Sequence, residues 1–200
     1  MNDKKIRKSG SERRAEILQA ALDIIGEQGL GQLTFAALAS RVGISDAGII
    51  KYFSSKSDII YEVTASFTES LLKEIKLMSI KDCSATEKID ELFRMHTKTL
   101  MNNCGIPRLV FIETIHLQDE RVCHVITNTQ LQLRLMLAGI INQGIEEGVI
   151  RGSIDVESAT FTYLALIQFS VSQHLIKQED ADQEPSFDRI KAYFIRSLLN

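Results

Sequence analysis

Apolar residues recur every three to four positions along most of this chain. Leu18, Ala21, Leu22 and Ile25 keep that spacing and predict a first helix from near Ser11, with Gly29 as its stop. Thr34 then caps a short second helix, FAALASRV, with Phe35, Leu38, Ala39 and Val42 on one side. Gly43 makes a tight turn, and Ser45 opens a third segment, SDAGIIKYFSSK. That segment is too short to stay helical alone, because nucleation costs more than one or two turns return. Ile49 and Phe53 lie four apart and are expected to face inward, onto Phe35, Leu38 and Val42. Ser45, Asp46, Lys51 and Tyr52 are then left facing out. A supporting helix, a glycine turn and a second helix with a free outer face are the parts of a helix–turn–helix.

Beyond Lys56 the periodicity predicts six more helices. One runs from Ser57 to about Ile80, capped by Ser55 or Ser57, and another from Ala85 to Asn103. Arg108 to Leu117 reads as a short apolar helix. Asp119 caps a long one in which Val122, Val125, Ile126, Thr129, Leu133, Met136, Leu137 and Ile140 hold a seven-residue pattern. Asp155 caps Val156 to Lys177, an acidic loop follows, and Pro185 opens a last helix with Phe187, Ile190, Phe194 and Leu198 on one face. The expected fold class is all-α, with about nine helices.

Composition agrees. The chain has 200 residues, 44% of them apolar, and two prolines, which suits a folded helical protein. The apolar run Ala159–Ile176 approaches the length of a membrane span, but its Thr, Gln, Ser and His residues mark it as a helix buried on several sides. No apolar leader follows the basic N-terminus, and three cysteines without metal spacing fit a reducing, cytoplasmic compartment. Net charge is −3, which alone argues against nucleic acid. Its distribution reverses the argument. Residues 1–56 carry nine basic and six acidic side chains, so the excess of acid lies in the remainder. A basic front on an acidic body suggests two tasks in one chain.

At this point residues 11–60 resemble the DNA-binding domain of the TetR family of bacterial transcriptional repressors. The resemblance rests on "EQGL" ending the first helix, then "LTFAALASRVGIS", then "AGIIKYFSSKSDII". Residues 61–200 match only in helix count, loop placement and apolar pattern. The resemblance implies a homodimer of all-helical subunits. Each has a three-helix DNA-binding domain and a larger ligand-binding and dimerisation domain. The last two long helices would form the dimer interface, and the fourth helix would link the domains and shift when a small molecule binds. The corresponding division is a basic arm at 1–10, a helix–turn–helix domain at 11–56, and a ligand-binding and dimerisation domain at 57–200.

Within the motif, the expected DNA-facing set is Thr34, Ser45, Asp46, Ala47, Gly48, Ile50, Lys51, Tyr52 and Lys56. Lys51 and Lys56 suit phosphates. Thr34 and Ser45 cap helices, and the N–H groups beside them can bind phosphate as well. Gly48 lets the helix approach the groove closely. Lys4, Lys5, Arg7 and Lys8 are either an arm that tracks DNA or a soluble tail. Two residues depart from the family pattern. Asp46 stands where lysine, arginine or proline is common, and Ile50 where a backbone-touching tyrosine is usual. Asp46 either accepts from a cytosine amino group or only favours the helix N-terminus, and Ile50 can touch a thymine methyl.

In the body, polar residues interrupt apolar helices. The expected pocket is Leu92, His96, Leu109, Glu113, His116, Val125 and Tyr163. Glu113 and His116 lie one turn apart, as metal ligands can, but a di-iron bundle needs that motif twice. Cys123 and His124 are adjacent and point apart on a helix. No nucleophile constellation appears. The sequence therefore predicts no enzyme, no metal and no cofactor. It predicts a ligand-responsive repressor that binds double-stranded operator DNA, with a small, mainly hydrophobic effector as its other partner and no membrane. The alternative is a helical dimeric interaction module that kept the fold without specific DNA binding.

Overall fold

The computed structural model describes residues 9–102, 105–113, 119–176 and 187–199. Its helices are α1 (Gly10–Gln28), α2 (Phe35–Val42), α3 (Asp46–Ile50), α4 (Lys56–Ser79), α5 (Ala85–Met101), α6 (Gly105–Arg108), α7 (Glu120–Glu146), α8 (Val156–Ile176) and α9 (Phe187–Leu198). A 3₁₀ turn, Leu30–Gln32, joins α1 to α2, and α6 runs on into a π turn, Leu109–Glu113. The only β pairing among the described residues is an isolated bridge between Ile150 and Leu199. The fold is all-helical.

Local hydrogen bonds explain most helix starts. Ser9 opens α1 through a capping box: its Oγ accepts from Glu12 N at 3.2 Å, and Glu12 Oε2 accepts from Ser9 N at 2.7 Å. The helix therefore begins at Gly10 rather than Ser11. Thr34, Ser45, Ser55, Ser84 and Asp119 cap α2, α3, α4, α5 and α7 in turn. Gly43 ends α2 at φ 73°, a left-handed conformation that costs glycine nothing.

α1, α2 and α3 pack around Ile17, Ala21, Leu38, Val42, Ile49 and Phe53. α4 leaves this group and lies along α7 in the body. Arg14 ties the two parts. It pairs with Glu62 of α4, donates to the Tyr52 carbonyl at 2.6 Å and lies 4.3 Å over the Phe53 ring. Arg121, in the first turn of α7, reaches Asp58 of α4 at 3.1 Å.

Three expectations change. The helix expected to start at Arg108 is instead a helical turn, Gly105–Arg108, that runs on into a π turn, Leu109–Glu113. Its expected last residues, residues 1–8 of the N-terminal arm, Asn103, Lys177, the acidic loop and Pro185 lie outside the described residues. α5 ends at Met101, where Asn102 supplies the C-cap. The apolar face of α9 is not left open to a partner, because Phe194 and Leu198 are both 1% exposed. Phe194 sits 5.4 Å from Phe93 of α5, and Lys191 reaches Asp90 at 2.8 Å, so α9 closes over its own subunit.

Candidate nucleic-acid interface and internal cavity

α3 is five residues long and is held by side chains on its inner face. Ile49 is fully buried and Phe53, just beyond the helix, is 2% exposed. Ser45 Oγ accepts from Gly48 N at 3.1 Å. With that cap and those two anchors inside, Ser45, Asp46, Ala47, Ile50 and Lys51 form the exposed face. Ile50 is 56% exposed. Thr34, also exposed, caps α2 by accepting from Ala37 N at 3.1 Å.

Three members of the expected set have interior roles. Tyr52 is half-buried and packs on the core. Gly48 permits contact with its own turn, since an added Cβ would meet Ile44 at 3.3 Å. Lys56 Nζ donates to the Leu30 carbonyl at 2.6 Å, pinning the start of α4 to the 3₁₀ turn.

The body encloses a cavity of about 70 Å³. Phe67, Thr68 and Leu71 of α4 form one wall, and Ile126, Thr129 and Leu133 of α7 face it. His96 and Leu100 come from α5; Ile106, Val110 and Phe111 come from α6 and the π turn; Leu164 and Ile167 come from α8. Gln130 and Gln168 are shared with a larger outer cleft between α7 and α8.

Of the expected pocket residues whose side chains the structure describes, only His96 lines this cavity. Leu92 and Tyr163 lie behind it: Tyr163 Oη is 3.0 Å from His96 Nδ1 and 3.4 Å from the Leu92 carbonyl oxygen. Burial without a charged partner pushes the His96 pKa down to about 4 and holds that of Tyr163 well above its usual value. Leu109 is core, and Val125 borders a surface cleft with Tyr61, Glu120, Arg121 and His124. The Glu113 side chain and His116 lie outside the described residues. Among the described residues no three His, Cys, Asp or Glu gather as a metal site, and no helix is long and apolar enough to cross a membrane.

The wall from α4 and α7 was hidden in the sequence. Phe67, Leu71, Ile126 and Leu133 carry the same periodic signal whether they fill a core or border a space.

A three-helix unit with an exposed recognition helix, joined by one long helix to a cavity-bearing helical body, defines a one-component DNA-binding regulator. The family profile of bacterial regulatory proteins, tetR family, matches residues 17–63, and that of the tetracyclin repressor-like C-terminal domain matches residues 82–172. The chain belongs to the TetR family and is a helix–turn–helix transcriptional regulator. It is 25% identical over 147 residues to the HTH-type transcriptional repressor KstR2 of Mycobacterium tuberculosis, covering 74% of each chain. It is 25% identical over 173 residues to the fatty acid metabolism regulator protein of Bacillus subtilis, covering 84% of this chain and 86% of that one. The solved structure of FadR from Bacillus subtilis in complex with stearoyl-CoA superposes with a TM-score of 0.73 at 20% identity, over 93% of this chain and 97% of that one. These relatives are regulators rather than enzymes.

Proposed function

We propose that the protein is a repressor that holds a near-palindromic operator as a homodimer and releases it when a small, mainly apolar effector enters the cavity. Residues 11–56 form the DNA-binding domain, preceded by the arm at 1–10, and residues 57–200 form the effector-binding and dimerisation domain. Ser45, Asp46, Ala47, Ile50 and Lys51 present α3 to the major groove, and Thr34 brings the start of α2 to the backbone. Lys56 and Tyr52 set the position of α3, with any phosphate contact additional to the bonds they make inside. Two copies of α3 related by a two-fold axis read two half-sites.

The observation that carries this reading is the course of α4. It starts beside α3, pinned by Lys56 and Arg14, and the same unbroken helix supplies Phe67, Thr68 and Leu71 to the cavity wall. An effector that spreads this wall tilts α4 and changes the spacing of the two recognition helices. A coupling of about 1–3 kcal/mol would weaken operator binding by about 5- to 150-fold. The stearoyl-CoA held by the FadR relative supports an acyl-bearing effector here.

The test is fluorescence anisotropy with inverted repeats from the DNA upstream of the coding region, with and without apolar metabolites. Tight, salt-sensitive binding to one repeat, weakened by a bound metabolite, is the expected result. Weak binding that ignores sequence would instead favour the interaction-module reading. A metabolite that binds tightly without changing operator affinity would sink the release mechanism.

A further inference from the structure

The described cavity wall is apolar apart from His96, Thr68, Thr129 and two glutamines. Both threonines spend their only protons inside their own helices. Thr68 Oγ1 donates to the carbonyls of Thr64 and Ala65 at 2.9 and 3.0 Å, and Thr129 Oγ1 to that of Val125 at 2.7 Å. Gln130 and Gln168 are exposed and mark the boundary with the outer cleft. His96 is different: it is 4% exposed, so it stands inside. Its Nδ1 is held by Tyr163, which is buried and does not line the cavity. Nε2 is therefore the ring nitrogen left to the cavity.

Tyr163 can serve Nδ1 in two ways. Its O–H donates to Nδ1, and Nε2 then carries the imidazole proton. Alternatively the O–H donates to the Leu92 carbonyl, Nδ1–H donates to the phenol oxygen, and Nε2 is a bare lone pair. Rotating one hydroxyl thus turns the cavity's polar atom from donor to acceptor with no change of charge. The depressed pKa keeps the ring neutral near pH 7. Among the described residues no lysine or arginine lines the cavity; Arg134 borders the outer cleft. A carboxylate at His96 would be stripped of water with no counter-charge beside it, which is strongly unfavourable.

We propose that the cavity recognises the neutral oxygen, hydroxyl or carbonyl, of an otherwise apolar effector through His96 Nε2, with Tyr163 setting the proton, and rejects the corresponding carboxylate. The proposal rests on the reading of the cavity as the effector site and narrows the effector's chemistry.

The test uses the full chain without DNA and three small probes of matched shape: 2-hexanone, its alkene isostere 2-methyl-1-hexene, and sodium hexanoate. NMR titration at pH 7.5 follows the imidazole ¹⁵N signal assigned to His96 by its loss in His96→Leu. 2-Hexanone is expected to shift that signal and to bind at least about tenfold more tightly than hexanoate, whose charge would be buried without a partner. His96→Leu should weaken 2-hexanone by about tenfold and leave the alkene within about twofold, while His96→Gln restores most of the ketone's affinity. The ¹⁵N shift in the parent protein needs no variant and so survives a folding defect. Bound 2-hexanone with an unmoved His96 signal, hexanoate binding as tightly as the ketone, or no binding by any probe would each overturn the proposal. A ketone that engages His96 yet leaves operator binding intact would count against the release mechanism alone.

Discussion

Lys51 sits at the C-cap of α3, exposed, with no acidic partner among the described residues. Lys51→Glu should nearly abolish operator binding while far-UV circular dichroism and sedimentation stay as in the parent. The milder Lys51→Ala should flatten the plot of log affinity against log salt by about 1.8 for the dimer, since each lost phosphate contact accounts for about 0.9. An unchanged slope would mean that Lys51 does not meet the backbone. His96 predicts a pH effect of definite sign. Its pKa is about 4 in the folded chain and near 6.5 when unfolded. Below 6.5 the unfolded chain takes up a proton that the folded chain refuses. The His96 contribution is therefore flat above about pH 7, is lost as pH drops from about 6.5 to 4, and changes no further below that. Urea unfolding at pH 7.5 and 4.5 should show a loss roughly 2 to 3 kcal/mol smaller in His96→Leu than in the parent. Equal losses would place His96 in contact with water.

Among elements, α6 is four residues long and touches both halves of the molecule. Ile106 faces the cavity, while Gly105 lies so close to α1 that an added Cβ would stand 2.2 Å from the Leu22 carbonyl oxygen. Arg108 at its end reaches the Gly26 carbonyl at 3.4 Å. α6 is thus a second bridge from cavity wall to DNA-binding domain, besides α4. The π turn that follows, with Val110 and Phe111 in the wall, is a helical irregularity of a kind common at functional sites. Gly105→Ala must push α6 off α1, at a cost of about 1–3 kcal/mol. A melting temperature lower by several degrees is the expected reading, with operator affinity reduced as α1 shifts. Melting at the parent's temperature would show that α6 can retreat freely, and the second bridge would then carry no coupling.

For the whole molecule, the exposed apolar side chains decide where a second copy docks. Phe161, Ala165 and Phe169 recur every four residues along α8, and Leu131 and Leu135 do so along α7. Leu135 is 64% exposed and Phe169 61%, whereas on α9 Phe194 and Leu198 are covered and Tyr193 alone of the large hydrophobic side chains stands out. We predict that the dimer face lies on α7 and α8, the last two long helices. Leu135→Lys with Phe169→Lys should give a folded monomer in sedimentation equilibrium, and operator binding should fall because the two half-sites are no longer held by one body. A double variant that remains dimeric would move the interface elsewhere.

What the sequence determined by itself is the part built from short-range bonds. Serine, threonine and aspartate caps act within three residues, glycine accepts the left-handed turn at Gly43, and Ile49 with Phe53 can only face one way on so short a helix. These local choices settled the helix order, the helix–turn–helix and its exposed face. Tertiary structure decided whatever depends on distant partners. Lys56 was free to meet phosphate until Leu30 presented its carbonyl. Arg14 and Glu62 lie 48 positions apart, with no local signal to pair them. Phe67 and Ile126 read as core, and only the packing of α4, α6, α7 and α8 leaves the space they border. The face of α9 was equally apolar in either role, and it turned inward because α5 and α8 offered Phe93 and Tyr163 to receive Phe194. Periodicity reports that a surface avoids water; which surface covers it is a property of the assembled fold.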